Sequence, residues 1–157
     1  MKVTICGGGN IAHALAGMLG NNKSLDLHVL TRKPELWANH LMVELEGNTF
    51  FSITGTVTSS FSTAIENSDL ILLALPAFAR KEVIEKIAPF VKQGAWIGAF
   101  PGMGNFDLIV SECFKNSDKK EITRNMLLYD TICFFGDDKI KKLFNSHFKY
   151  DFKFVII

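Results

Sequence analysis

Small residues at a fixed spacing carry the first chemical signal in this sequence. Gly7-Gly8-Gly9-Asn10-Ile11-Ala12 contains G-x-G-x-x-A at Gly7, Gly9 and Ala12, directly after the apolar segment Lys2 to Cys6. In that spacing the first glycine permits a tight turn off a strand. The second leaves room for an anion to approach the backbone, and the third small residue lets a helix lie close to the sheet. A helix opening near Asn10 would aim free N–H groups and a partial positive charge at the anion. The chemistry is capture of a dinucleotide diphosphate. Three adjacent glycines would also make a plain loop, and the strand before them and helix after them are what favour the nucleotide.

A second signal lies about twenty residues beyond the turn, where sites that prefer NAD place an Asp or Glu on the ribose hydroxyls. Here the chain reads Leu30-Thr31-Arg32-Lys33. A carboxylate would repel a 2′-phosphate, whereas a hydroxyl and a guanidinium can hold one by charge-assisted hydrogen bonds. Each such bond is worth ~1.5–3 kcal/mol. The expected cofactor is therefore NADP(H) in preference to NAD(H), with a solvated Arg-Lys pair in a loop as the plain alternative. Two further segments belong beside the nicotinamide end. Leu75-Pro76-Ala77 closes the most apolar run, and Pro101-Gly102 begins a loop containing two glycines. Each could equally be an ordinary strand terminator or loop.

The positioning elements follow from hydrophobic periodicity. Lys2 to Cys6 and Leu25 to Thr31 read as strands, with a helix carrying Ile11, Leu15, Met18 and Leu19 between them. After Pro34, Trp37, Leu41 and Leu45 mark one face of a second helix. Thr49 to Ser59 suits one or two short strands, Ser60 to Asn67 a short helix, and Leu70 to Leu75 a central parallel strand. Ala79 to Val91 is helical and Gly94 to Phe100 is the next strand. Beyond Asn105 the pattern predicts a helix over Phe106 to Phe114, a strand within Met126 to Phe135, a short helix over Lys139 to Phe144 and a final strand over Tyr150 to Ile157. This order predicts an α/β, Rossmann-type, doubly wound and mostly parallel sheet with helices on both faces.

These segments together resemble the N-terminal domain of the octopine/nopaline (opine) dehydrogenase family. The G-x-G-N turn at Gly7 to Asn10, Pro76-Ala77-Phe78-Ala79 and the Pro101-Gly102 loop match that family's pattern in order and spacing, over residues 1 to 110. Ketopantoate reductases and glycerol-3-phosphate dehydrogenases are related enough to stand as alternatives to that resemblance. The resemblance implies an oxidoreductase that joins an amino acid to a 2-keto acid by reducing an imine with hydride from NAD(P)H. It also implies that a His with an acidic partner, on a second and helical domain, does the catalysis. Such a domain is not expected within these residues. The expected organisation is one dinucleotide-binding domain over residues 1–157, with 1–105 as its core. The substrate half would come from a longer chain, from another subunit as a homodimer or separate partner, or from the residues after Asn105. A non-catalytic NADP(H)-binding module or truncated homologue, acting as sensor or regulatory subunit, is the competing reading.

Composition sets outer limits. A chain of 157 residues with 48% hydrophobic content can fill one core. Seventeen basic against sixteen acidic residues give no electrostatic reason to expect nucleic acid or an anionic membrane. The apolar stretch at Leu70 to Ala79 is too short to span a bilayer. Three cysteines without paired spacing suit a reducing, cytoplasmic setting. His13, His28, His40 and His147 share no metal-ligand spacing and read as structural or surface residues.

Overall fold

The computed structural model describes residues 1–45, 48–102, 105–116, 126–128 and 133–135. In chain order the elements are β1 (Lys2–Cys6), α1 (Asn10–Leu19), β2 (Asp26–Leu30), β3 (His40–Leu45), β4 (Asn48–Ile53), β5 (Val57–Thr58) and α2 (Phe61–Ile65). They continue with β6 (Leu70–Leu73), α3 (Ala77–Ile87), β7 (Trp96–Ala99), α4 (Phe106–Phe114), β8 (Met126–Leu128) and β9 (Cys133–Phe135).

The main sheet runs β5-β2-β1-β6-β7-β9-β8. Its first five strands pair in parallel, with Val3 of β1 between Leu27 of β2 and Leu70 of β6. β9 and β8 extend it antiparallel from β7. The chain therefore builds outward from β1 on one side, then crosses to β6 and builds outward on the other. That reversal between β1 and β6 is a topological switch point, where open α/β sheets leave a crevice at the carboxyl ends of their strands.

Burial on both faces explains why the inner strands are apolar throughout rather than alternating. Successive residues of β6 point to opposite faces. Leu70 and Leu72 join Val3, Ile5, Leu27 and Val29 against Leu15 and Leu19 of α1. Ile71 and Leu73 join Ile97 and Ala99 against Ile65 of α2, Ile84 and Ile87 of α3, and Phe106, Val110 and Phe114 of α4. The one hydroxyl within β1 is satisfied: Thr4 Oγ1 donates to the Ala64 carbonyl at 2.8 Å and lies 2.8 Å from Ser68 Oγ.

The second helix expected after Pro34 does not form. Pro34–Leu36 is a single 3-10 turn, and β3 pairs antiparallel with β4 as a hairpin in its own two-stranded sheet. Trp37, Leu41 and Leu45 are spaced by four, which fits a helix face and equally fits every second strand position. Val43 decides the matter: Leu41 and Val43 turn toward the protein while Met42 and Glu44 are exposed, the period of a strand. The hairpin is fastened to α1 by Ser52 Oγ, which donates to the Ala16 carbonyl at 2.9 Å. His40 is the first residue of β3.

Smaller differences occur downstream. α3 begins at Ala77, two residues before its expected start, and ends at Ile87, where a 3-10 turn over Ala88–Phe90 takes over. Met126 to Phe135 holds two strands rather than one. The helix expected over residues 139–144 and the strand over 150–157 lie outside the described residues.

Candidate functional site

A cleft of about 710 Å³ opens at the switch point, lined by the carboxyl ends of β1, β2 and β6 and by one face of α3. Its volume falls within the ~300–1,000 Å³ typical of cofactor and small-molecule sites. It brings together Gly7, Gly8, Gly9, Thr31, Arg32, Lys33, Leu75 and Pro76 from three separate sequence segments.

Each glycine of the turn meets a different constraint. Gly7 has φ +151°, and a Cβ there would stand 2.5 Å from the Ala74 carbonyl oxygen, so neither backbone nor space admits a side chain. A Cβ on Gly8 would stand 2.5 Å from Thr31 Oγ1. At Gly9 no heavy atom lies within 4 Å of the Cβ position, so that residue faces open space. Gly9 is also the N-cap of α1 and supplies no side-chain cap. The first turn of α1 carries no acidic residue to offset the positive end of its dipole. An anion therefore finds a bare helix terminus beside an open approach, which is the donor set a diphosphate requires.

The other expected site residues, Asn10, Ile11, Ala12, Ala77, Pro101 and Gly102, are not brought into the cleft lining. Asn10 and Ile11 are exposed on the first turn of α1, and Ala12 is fully buried beneath them in the core. None of the three lines the cleft, and Ala12 serves the close packing of helix on sheet. Ala77 is the exposed first residue of α3. Pro101 and Gly102 follow β7 after a cis Phe100-Pro101 peptide and stand outside the cleft lining.

Arg80 connects that last segment to the cleft. Its Nε donates to the Leu75 carbonyl at 3.0 Å and a terminal nitrogen donates to the Pro101 carbonyl at 2.8 Å. The guanidinium carbon lies 5.9 Å from the centre of the Phe106 ring, and the residue is only 2% exposed. Sequence reasoning passed over Arg80, although a signal was present: it occupies the buried stripe of α3 four residues before Ile84.

Sequence reasoning also missed the rest of the α3 wall. Phe78, Glu82 and Lys86 recur every four residues and line the cleft along with Arg32 and Lys33. Phe78 is 89% exposed. Lys86 donates to Glu82 at 2.5 Å. That hydrogen bond and the charge of Lys86, with a smaller contribution from Arg32, hold the Glu82 carboxyl below its ordinary range.

His13 and Trp37 complete the lining near the glycine turn, their rings stacked at 3.8 Å and 17°. Cys6 lies at the base of the cleft, where burial pushes its thiol up to about 12. It stays a neutral thiol at ordinary pH and is a poor nucleophile. Among the described residues, no three His, Cys, Asp or Glu side chains gather as a metal site, and no helix is long and apolar enough to cross a membrane.

The family profile described as Ketopantoate reductase PanE/ApbA matches residues 3–117. The chain belongs to this family. The chain is also homologous to opine dehydrogenases, as the glycine turn and the Pro76-Ala77-Phe78-Ala79 segment implied. Tauropine dehydrogenase of Arabella iricolor is 30% identical over 145 residues, covering 83% of this chain and 36% of the relative. The structure of octopine dehydrogenase with NADH and pyruvate superposes with TM-score 0.70 and 28% identity, covering 78% of this chain and 34% of that one. Yersinopine dehydrogenase with NADP+ shares the fold at TM-score 0.59 and 17% identity, covering 78% of this chain and 33% of that one. This PanE/ApbA family chain thus spans about a third of the length of the relatives it matches.

Proposed function

We propose that the cleft is a nicotinamide dinucleotide site, that it prefers NADP(H), and that the chain is the cofactor-binding part of an opine-dehydrogenase-like oxidoreductase. One observation carries the reading: the glycine turn, the Thr31-Arg32-Lys33 segment and the Leu75-Pro76 wall all line one cleft. Gly7 to Gly9, with the uncapped start of α1 behind them, would hold the diphosphate. Asn10, Ile11 and Ala12 contribute backbone position and packing in that first turn. Arg32 and Lys33, both exposed, would pair with a 2′-phosphate. The Thr31 hydroxyl is 3.4 Å from the Lys33 N–H that donates to it and is pressed against Gly8. Its service is to shape the turn while placing no carboxylate beside a phosphate.

At the other end Leu75, Pro76 and Ala77 would form the nicotinamide-side wall, with Pro101 and Gly102 held to it by Arg80. When bound, the nicotinamide supplies the hydride. This chain's residues bind and orient it. Likeness to tauropine and octopine dehydrogenases supports reduction of an imine formed from an amino acid and a 2-keto acid. We read residues 1–157 as one dinucleotide-binding domain with its core over 1–105. The substrate half comes from a helical domain, a second copy of the chain or a separate subunit, in the cytoplasm.

Amide hydrogen exchange with and without NADPH tests the placement. Protection should concentrate at 7–12, 31–33 and 75–77. Unchanged exchange at all three segments under saturating NADPH would overturn the proposal.

A further inference from the structure

The His13–Trp37 stack sits against the glycine turn, yet neither residue belongs to the diphosphate spacing. The Gly9 carbonyl accepts the His13 backbone N–H at 3.1 Å and lies 3.1 Å from His13 Nδ1. A carbonyl can only accept, so Nδ1 carries the proton and donates. One histidine therefore pins the Gly9 peptide twice, once through the main chain and once through its ring.

The ring itself is held by Trp37, which is 9% exposed and packs within the core cluster on the α1 side of the sheet. Trp37 Nε1 is also 3.9 Å from where a Gly8 Cβ would stand. Trp37 comes directly after the 3-10 turn that follows Arg32 and Lys33. Through Trp37 and His13, the segment bearing the two cations is packed against the peptide that faces the open approach at Gly9.

We propose that His13 is a positioning residue for the diphosphate-binding turn, held in place by its stack on Trp37. It sets the orientation of the Gly9 peptide, and with it the direction of the first N–H groups of α1, without itself needing to touch the nucleotide. This inference rests on the proposed cofactor reading, and it goes beyond that reading by assigning the turn's geometry to two side chains outside the glycine spacing.

The test compares the intact chain with His13→Phe, which keeps a stacking ring and loses the Nδ1 donor, and Trp37→Phe, which keeps an aromatic face. The probes are NADPH, NADH and 2′-AMP, the last having a 2′-phosphate and no diphosphate. His13→Phe should weaken NADPH and NADH alike by about ten-fold, the loss of one hydrogen bond of ~1.4 kcal/mol. It should leave 2′-AMP within about two-fold. Trp37→Phe should stay near wild type for all three probes. Equal loss for 2′-AMP, or dinucleotide affinities in His13→Phe unchanged from wild type, overturns the positioning role. A wild-type chain that binds neither dinucleotide overturns the cofactor reading and this inference together, and only that outcome reaches the former.

Discussion

The guanidinium of Arg80 donates to the carbonyl of Pro101 at 2.8 Å while its Nε holds the carbonyl of Leu75. A side chain from the first half of α3 thereby joins the loops that follow β6 and β7. The pairing matters because only the first of these loops lines the cleft. Replacing Arg80 by Leu removes two charge-assisted hydrogen bonds worth ~1.5–3 kcal/mol each, and also removes the burden of burying a cation. A net loss of about 2–4 kcal/mol in unfolding free energy is expected from denaturant titration. A change below about 0.5 kcal/mol would mean the two carbonyls gain nothing from Arg80.

Glu82 faces the same cleft as Arg32 and Lys33, and its negative charge opposes any phosphate held there. Glu82→Gln should tighten NADPH binding several-fold and leave NADH nearly unchanged, with the difference shrinking at high salt. An equal gain for both cofactors would place the effect on something other than the 2′-phosphate.

Gly8 and Thr31 test each other. Gly8→Ala alone sets a methyl 2.5 Å from Thr31 Oγ1, an overlap expected to cost about 1–3 kcal/mol. Removing that oxygen leaves Thr31 Cβ at 3.6 Å, an ordinary contact, so adding Thr31→Ala should recover most of the loss. Strict additivity in the double-mutant cycle would contradict this contact.

Most of the parallel sheet was legible because its strands are buried on both faces and carry runs such as Leu70 to Leu73, which no exposed segment would hold. The glycine turn was legible for a similar reason: Gly7 and Gly8 answer to clashes with Ala74 and Thr31, so the residue types record the geometry. The hairpin was misread because Trp37, Leu41 and Leu45 satisfy two periods at once, and only Val43 separates them. Arg80 and the His13–Trp37 pair were not legible as site residues. The place of Arg80 on the buried stripe of α3 signals burial, but its partners, the Leu75 and Pro101 carbonyls, and the ring stack across 24 residues of sequence leave no local pattern.

Asp69 links the start of β1 to the end of the α3 crossover. Its Oδ2 accepts the Lys2 backbone N–H at 2.8 Å, and its Oδ1 is paired with Lys92. Partial burial works to raise the Asp69 pKa, but the hydrogen bonds from Lys92 and Lys2 and the charge of Lys92 outweigh it and leave the pKa below its ordinary value. A carboxylate depressed in the folded state contributes stability above its unfolded pKa of about 3.9 and loses it as pH falls through the folded value. Asp69→Asn should therefore flatten the acid limb of a stability–pH curve below about pH 4, modestly because the pair is partly solvated. An acid limb identical to wild type would show that the pair does not hold these strands.

Calorimetric titration of the purified chain with NADPH and with NADH, repeated on Arg32→Ala, tests the central claim most directly. The account predicts that NADPH binds more tightly than NADH by roughly ten-fold or more, and that Arg32→Ala removes most of that difference while leaving NADH affinity in place. Absence of binding by either nucleotide to a folded sample would contradict the dinucleotide reading of the cleft, and equal affinity for the two would contradict the role given to Arg32.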